Sequence, residues 1–303
     1  MYMNKSGNLR PYTELHAAVF LFGFTGILGQ LIELNSNILV LHRLWMAALG
    51  MLAYVFIVGK WRLLSFNEIR RIAAVSSVIV VHWLLFYGSI KLASVSVAMI
   101  CLSTIALFTA ILDPLIHRKP VAKAELLLSA FAVVGVALMA EDQKQHMLGI
   151  AVGLASAFFS AWFTVLNKSL VEQYDSRLLS FYELFTGFLL LCILLPIVNL
   201  IMPLGKWTPS GSDWLYLILL SFFCTVVAFN LSLSSLRFLS PFTVNLSINL
   251  EPVYGIALAF WVFKEYRELG MGFYLGAGII LCSVLADAFW KQRKRKLAVN
   301  NSV

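Results

Sequence analysis

Long apolar runs separated by short polar stretches set the pattern of this chain. A helix of about 20 apolar residues is long enough to cross the ~30 Å hydrocarbon core of a bilayer. The sequence contains ten such runs, at about 15–32, 36–58, 72–90, 94–115, 124–140, 148–170, 178–202, 213–235, 240–263 and 269–290. We therefore predict an all-α membrane protein with ten transmembrane helices, here called spans one to ten.

The composition supports this interpretation and narrows the possible functions. Hydrophobic residues make up 60% of the chain and charged residues 13%, whereas soluble proteins contain roughly 45–50% and 25%. The sequence lacks the short motifs of metalloproteases, serine hydrolases and phosphate-binding loops. All four cysteines lie inside apolar runs, without the paired spacing of a metal site. We therefore predict that the protein is not an enzyme and binds no cofactor or metal.

The basic residues are distributed unevenly between the two sides of the predicted membrane. Of the 23 lysines and arginines, 17 lie on the side shared by both termini, five lie on the other side, and Arg43 is embedded in span two. The positive-inside rule then predicts an integral plasma membrane protein, such as one of the bacterial inner membrane, with both termini cytoplasmic. Because the basic residues sit in short loops, we expect the bilayer and a small-molecule substrate as partners, and no nucleic acid. Both a monomer and a homodimer remain open.

Span nine carries the most unusual polar residues for its depth. Asn245, Asn249 and Glu251 lie near its middle and are followed by Pro252. Intramembrane acids usually face the bundle interior or a wet cavity, and proline kinks or opens a helix. We therefore expect span nine to line a substrate cavity. Three roles for Glu251 stay open: a coupling-proton carrier, a partner for a substrate amine, and a structural acid that satisfies Arg43 or a histidine.

The two halves of the chain show a weak internal repeat. A shift of 146 residues aligns 89–108 with 235–254 and places the short turn Lys91–Ser94 on the turn Arg237–Ser240. Each half then holds five spans, and because five is odd the second half enters the membrane inverted relative to the first. Inverted-topology repeats are common in secondary transporters, whose substrates bind near the bilayer midplane. We predict two inverted-topology five-helix repeats.

The chain resembles the drug/metabolite transporter superfamily, and within it the EamA-like permeases. The resemblance is carried by HWLLFYGSIKLASVSVA at 82–98, by Glu251–Val253 and by Lys264–Glu265. It covers two EamA-like units, 14–140 and 148–290, and implies ten helices around a central cavity that serves solute transport. The first half departs from the pattern: Ala106 stands where the family usually has proline, and Lys119 where it usually has an acid. We therefore expect the first half to be less kinked than the second.

The candidate site residues combine polar or aromatic chemistry with a position near the middle of the spans. Asparagine supplies donors and acceptors, and aromatic rings supply apolar or cation-binding faces. The substrate-binding candidates are Trp83, Tyr87, Ser103, Trp162, Asn230, Asn245, Asn249, Glu251 and Tyr254. The candidates for a coupling or ion-pair role are His42, Arg43 and His82. For each asparagine and serine the alternative role is an interhelical hydrogen bond, and for Arg43 the alternatives are snorkelling to the interface, an internal ion pair and an anionic substrate group.

These features predict a multi-pass transporter that moves a small metabolite by alternating access. The mixture of polar and aromatic side chains among the candidate residues favours an amino acid or amine-like solute, and we expect export. The alternative is a membrane receptor or lipid-handling scaffold that moves no solute.

Overall fold

Helices dominate the computed structural model of the chain, which describes residues 9–118, 144–201 and 205–279 together with isolated positions between 120 and 141 and at 282 and 286. Within these residues, eight helices are long and apolar enough to cross a membrane. Spans five and ten lie largely outside the described residues. The eight helices are Arg10–Leu31 (span one), Ser36–Ile57 (two), Phe66–Leu92 (three), Val95–His117 (four), Met147–Gln173 (six), Ser176–Ile201 (seven), Gly211–Phe238 (eight) and Pro241–Phe263 (nine).

Side-chain caps explain where several of these helices begin. The side chain of Ser65 accepts from the amide of Glu68 while Glu68 accepts from the amide of Ser65, which is the reciprocal arrangement of a capping box. Ser210 and Asp213 form a second capping box at the start of span eight. Because the first box lies ahead of the apolar run, span three starts at Phe66 rather than at residue 72 as predicted.

Three of the eight described spans are broken near the middle. Span one is interrupted at Gly23–Phe24, span four at Ser103–Thr104 and span nine at Asn249–Leu250. Span eight remains continuous but contains a π-helical turn over Phe222–Val227. Broken helices and π-turns are both frequent at functional sites in membrane and soluble proteins.

Spans four and nine share their boundaries at the shift of 146 residues. Their first segments, Val95–Leu102 and Pro241–Ile248, match at both ends, and so do their second segments, Ile105–His117 and Glu251–Phe263. Each second segment is followed by a residue with positive φ, at 51° for Arg118 and 56° for Lys264. The weak sequence repeat therefore corresponds to a close repeat of local structure.

The expected difference in kinking between the two halves is wrong for spans four and nine. Span four breaks at the position that matches the break in span nine, although Ala106 stands where span nine has Pro252. The hydroxyl of Thr104 donates to the carbonyl oxygen of Cys101 at 2.7 Å, and that of Ser103 lies 3.4 Å from the carbonyl oxygen of Met99. Such side-chain bonds compete with the backbone ladder and bend helices, so hydroxyl groups accompany the break where proline is missing.

Contacts between helix ends define two ends of the bundle, named here after the ends of span one. At the Leu31 end, Lys91 Nζ donates to the carbonyl oxygen of Ile32 at 2.7 Å, which ties span three to span one. At the Arg10 end, the hydroxyl of Ser234 donates to Glu14 at 2.8 Å, which ties span eight to span one. The turn that follows span three therefore lies at the end of the bundle opposite to the turn that follows span eight.

Candidate substrate cavity

A cavity of about 70 Å³ lies in the middle of the bundle. Since about 10–15 Å³ on this scale admits one water molecule, the cavity has room for several. Spans from both halves of the chain contribute to its wall. The lining residues are Phe22, Thr25, Arg43, Ile79, His82, Trp83, Phe86, Leu102, Ile105, Ser160, Phe163, Thr164, Phe229, Ser232, Ile248 and Glu251.

All three helix breaks meet at this cavity. Phe22 and Thr25 flank the break of span one, and both line the wall. Leu102 and Ile105 flank the break of span four, and their counterparts at the shift of 146 residues, Ile248 and Glu251, flank that of span nine. Equivalent positions of the two halves therefore face one space, but one pair differs chemically because isoleucine in the first half is replaced by glutamate in the second.

Arg43 is the cationic group of the cavity and is 2% exposed. Its Nε donates to Thr225 Oγ1 at 2.8 Å, and one terminal nitrogen donates to Tyr87 Oη at 2.9 Å. The guanidinium carbon lies 3.9 Å from the centroid of a Trp83 ring, a cation–π distance. The side chain therefore stays inside the bundle, and the snorkelling alternative is wrong. A guanidinium carries five N–H donors, so these two bonds leave three donors for other partners.

Local features hold the two oxygen partners of Arg43 in place. Thr225 lies in the π-helical turn of span eight, and its hydroxyl donates to the carbonyl oxygen of Leu220, five residues earlier, at 2.8 Å. Tyr87 is fully buried, and its ring packs so tightly against Gly29 that a Cβ at residue 29 would overlap it. Arg43 is therefore oriented by a widened helical turn on one side and by a packed ring on the other.

Glu251 is the acidic counterpart in the cavity wall and is 6% exposed. Its Oε1 accepts from Thr25 Oγ1 at 3.3 Å, across the break of span one. The ion pairs of the described residues, taken to 4.0 Å, do not include Arg43 with Glu251. The hydroxyl of Ser247, one turn earlier in span nine, donates to the carbonyl oxygen of Thr243 at 3.1 Å. The basic and the acidic side chain therefore share one cavity without forming a direct ion pair.

The two candidate histidines lie in different places. His82 lines the cavity, and its Nδ1 lies 2.8 Å from Ser156 Oγ and 3.0 Å from the carbonyl oxygen of Ser156. His42 lies outside the lining, where its Nδ1 accepts from Trp45 Nε1 at 3.0 Å and its Nε2 lies 3.1 Å from the carbonyl oxygen of Trp207. Because Nδ1 accepts, Nε2 of His42 is the donor to Trp207.

Aromatic rings form the apolar part of the wall. Trp83 packs edge-on against Phe229 with ring centroids 5.9 Å apart, and Phe163 stacks on Phe229 at 5.8 Å. Such pairs favour edge-to-face and offset-stacked geometries. Of the aromatic candidates, Trp83 lines the cavity, and Tyr87 lies behind it as a partner of Arg43.

Three polar candidates lie outside the lining of the cavity. Asn245 Nδ2 donates to Thr109 Oγ1 at 2.7 Å, and its Oδ1 accepts from Thr164 Oγ1 at 3.1 Å, so it joins spans four, six and nine. Ser103 lies at the break of span four, where its hydroxyl faces the backbone of its own helix. Asn249 ends the first segment of span nine, and its buried Oδ1 has no hydrogen-bond partner among the described residues.

Three further candidates point away from the lining. The cavity residues of span six, Ser160, Phe163 and Thr164, share one helix face, and Trp162 lies on the opposite side against Phe158 and Phe159. Asn230 lies between the lining residues Phe229 and Ser232, but it is rotated out of the wall. Tyr254 is 37% exposed and packs edge-on against Phe20, at the contact between spans nine and one.

Sequence reasoning missed several lining residues, of which Thr25 is the most informative. Thr25 follows the break of span one, and no proline or charged residue lies beside that break. Ser160 and Thr164 were missed because small hydroxyl residues are common throughout membrane helices. Their i, i+4 spacing on span six would have placed them together on one face.

The comparisons with known proteins agree with this architecture. A family model described as the EamA-like transporter family matches residues 15–140 and again residues 147–286. The chain therefore belongs to the EamA-like transporter family, a family of multi-pass membrane proteins. No curated protein matches the chain.

The solved structures show the fold as well. Matches were found to 28 chains of solved structures. One of them, titled only "Crystal structure of protein", aligns with a TM-score of 0.67 at 12% identity, covering 90% of this chain and 95% of that chain. At this identity the likeness shows the shared fold alone.

Proposed function

We propose that this protein transports a small zwitterionic metabolite, an amino acid or a related amine, across the membrane by alternating access. One observation carries the proposal. Arg43 from the first half and Glu251 from the second half line the same cavity without forming an ion pair with each other. Buried charges are normally paired, so a basic and an acidic side chain that share a cavity without a direct ion pair suit a ligand that carries both charges.

The chemistry of the wall fits the two ends of a zwitterion. A substrate carboxylate matches the free N–H donors of Arg43, since guanidinium groups recognise carboxylates through paired hydrogen bonds. A substrate ammonium group matches the carboxylate of Glu251. The rings of Trp83 and Phe229 then face the apolar part of the solute. Of the three roles left open for Glu251, the partner of a substrate amine agrees best with these surroundings.

The repeat supports alternating access. Spans four and nine have matching breaks beside the cavity, and the turns before them lie at opposite ends of the bundle. In transporters with inverted repeats, discontinuous helices form the central site while one repeat rocks against the other. We therefore propose two inverted units of five spans, 14–140 and 148–290, whose opposite movements expose the cavity to one side at a time.

The charge distribution supports an orientation with both termini in the cytoplasm. In this orientation the Arg10 end of the bundle is cytoplasmic and the Leu31 end faces outward. We propose export from the cytoplasm as the direction. A monomer and a homodimer remain the two predicted oligomeric states.

Uptake of a mixture of tritiated amino acids into proteoliposomes tests the proposal. We expect wild-type protein to exchange external label for unlabelled internal solute. We expect Glu251→Gln, which keeps the shape but removes the charge, to lower the exchange rate by at least about tenfold, a loss of ~1.4 kcal/mol of interaction. Arg43→Lys keeps the charge but not the paired donors and should cause a comparable loss.

Two controls make the result decisive. Glu172→Gln removes an exposed carboxylate that pairs with Lys168 and lies away from the cavity, so it should behave as wild type. Labelled lipid in the same vesicles tests the alternative of a lipid-handling scaffold. Absence of exchange by the wild-type protein, or full exchange by well-folded Glu251→Gln and Arg43→Lys, would contradict zwitterion transport through this cavity.

A further inference from the structure

A second buried carboxyl group lies outside the central cavity. Glu183 is on span seven and is 1% exposed, and neither of its carboxyl oxygens has a hydrogen-bond partner among the described residues. The side chain of Asn167, from span six, lies beside the carboxyl group. Both polar atoms of the Asn167 side chain, and the hydroxyl of Ser180, are likewise buried without a partner. The described part of the chain therefore contains a cluster of unsatisfied polar groups that the cavity does not use.

The surroundings of Glu183 are tightly packed. The hydroxyl of Ser76 on span three donates to the backbone carbonyl oxygen of Glu183 at 2.5 Å. One turn further along span seven, a Cβ at Gly187 would lie 2.9 Å from both Ser76 Oγ and Val80 Cγ2. Spans three and seven are thus in close contact here. A hard metal cation requires a shell of about six or more oxygen ligands, whereas a proton requires one, so the packing favours a proton.

The charged groups on the neighbouring helices are used elsewhere or lie at the helix ends. On span two, Arg43 bonds to Thr225 and Tyr87. On span six, Lys168 donates to the carbonyl oxygens of Leu236 and Arg237 and pairs with Glu172. The remaining ionisable groups on spans two, three, six, seven and eight are His42, Tyr54, Glu68, Arg70, Arg71, His82, Tyr87, Lys91, Arg177, Tyr182, Cys192, Asp213, Tyr216, Cys224 and Arg237.

None of these groups bonds to the Glu183 carboxyl. An ionised carboxylate in this position has no cation, and only the neutral amide of Asn167 beside it, to offset the loss of its hydration, which is strongly unfavourable. The carboxyl group is therefore neutral in this arrangement of the helices. A neutral acid that is unsatisfied here gains free energy from ionising only in an arrangement that admits water or a donor.

We propose that Glu183 is a proton-binding site that takes up and releases one proton as the helices rearrange. Glu183 follows the start of span seven at Ser176 by seven residues, which at ~1.5 Å per residue places it about 10 Å from the Arg10 end of the bundle. The proton comes from water and returns to water, and no other bond forms or breaks. The inference rests on the proposed transport function, in which this proton is the coupled ion.

The first experiment detects the proton without a substrate. Infrared difference spectra of the reconstituted full-length protein, recorded between acidic and alkaline buffers, report carboxyl groups that change protonation. We expect a carboxyl band that disappears in Glu183→Gln and persists in Glu172→Gln and Glu251→Gln. Asn167→Leu, which replaces the neighbouring amide, should move the pH midpoint of that band if the band belongs to Glu183.

The second experiment measures coupling, with the tritiated amino acid mixture as the probe. One coupled proton allows a gradient of one pH unit to drive up to about tenfold accumulation. We expect Glu183→Gln to bring the accumulation ratio down to about one while exchange of label at equal pH stays within about twofold of wild type. Loss of gradient-driven accumulation with intact exchange separates coupling from substrate binding.

The outcomes distinguish this proposal from the proposed function. If the wild-type protein exchanges no label, transport itself is refuted. If it exchanges label but Glu183→Gln keeps both the infrared band and the accumulation of wild type, Glu183 is a structural acid and the inference fails. If a sodium gradient, and not a pH gradient, drives accumulation that Glu183→Gln abolishes, the site binds a cation other than the proton and the inference also fails.

Discussion

Spans four and nine are the two broken helices related by the 146-residue shift, and of the two only span nine carries proline at the break. Their backbones nevertheless make corresponding hydrogen bonds. The amide of Thr104 bonds to the carbonyl oxygen of Cys101, and that of Leu250 to the carbonyl oxygen of Ser247. Pro252 occupies the second position of its segment, as Ala106 does, where a helix amide has no intrahelical partner. Proline is therefore compatible with this break without being required for it.

The side chains at the breaks differ more than the backbones do. Span four supplies Ile105 to the cavity and span nine supplies Glu251 at the matching position. Similar helix shapes from the two halves thus present different chemistry to one space. The helix breaks that shape the site therefore occur at matching positions of the two halves. The carboxyl group of the site comes from a position where the two halves differ.

The starts of the two helices differ in a related way. The carboxylate of Glu265, which follows span nine, accepts from the amides of Val95 and Ser96 at 3.2 and 2.9 Å and so caps span four. Span nine begins with Pro241, which has no amide hydrogen, and Ser240 accepts from the amide of Thr243. The start of span four therefore depends on a carboxylate from the second half of the chain, whereas the start of span nine has one fewer amide donor.

Of the substitutions that test this comparison, Glu265→Ala should have the largest effect on stability. Two buried amides of span four lose their acceptor, and each unsatisfied group costs about 1–3 kcal/mol. We expect a loss of roughly 2–3 kcal/mol in unfolding free energy in mixed micelles, with faster hydrogen exchange at Val95 and Ser96. The exposed Glu268 in the same loop supplies the control, since Glu268→Ala should change stability by no more than about 0.5 kcal/mol. Equal effects of the two substitutions would show that the carboxylate is not a cap.

Thr104→Val should have an intermediate effect. It keeps the volume of the side chain but removes the 2.7 Å bond to the carbonyl oxygen of Cys101, at an expected cost of about 1 kcal/mol. Hydrogen exchange of the amides that follow the break should slow as the helix straightens. Ser77→Ala removes a similar bond to Ala74 at an exposed position of an unbroken helix, and we expect it to be nearly neutral. Unchanged stability and exchange in Thr104→Val would show that packing alone sets the break.

Pro252→Ala should have the smallest effect. Because span four breaks without proline, we expect the break in span nine to remain and stability to change by no more than about 0.5 kcal/mol. The reverse exchange, Ala106→Pro, adds a ring at a first-turn position and should also be tolerated, at about 1 kcal/mol or less. Amino acid exchange in proteoliposomes should stay near wild type for both. A severe loss in Pro252→Ala alone would mean that the two breaks have different causes.

The candidate site was only partly predictable. Arg43, His82, Trp83 and Glu251 line the cavity, and all four are large side chains whose charged or polar groups need a partner inside a membrane helix. Asn245 has the right chemistry and depth, yet its amide is occupied by Thr109 and Thr164. Trp162 lies on the wrong face of span six. Both wrong predictions have the same cause. The depth of a side chain in the membrane follows from its position along the span, but the direction in which it points depends on how the helix packs against its neighbours.

The amino-acid sequence by itself determined that this is a membrane protein, where its spans approximately lie, and that its two halves are related. The length of the apolar runs, the charge of the loops and the similarity of the halves can all be seen in the order of the residues alone. The tertiary structure decided which polar side chains meet. Thr25, Arg43 and Glu251 come from spans one, two and nine, and the bond from Thr25 to Glu251 exists only because the breaks of spans one and nine lie side by side. A helix can rotate about its axis without changing its sequence pattern, and only packing against neighbours selects the rotation that places Arg43 and Glu251 in one cavity.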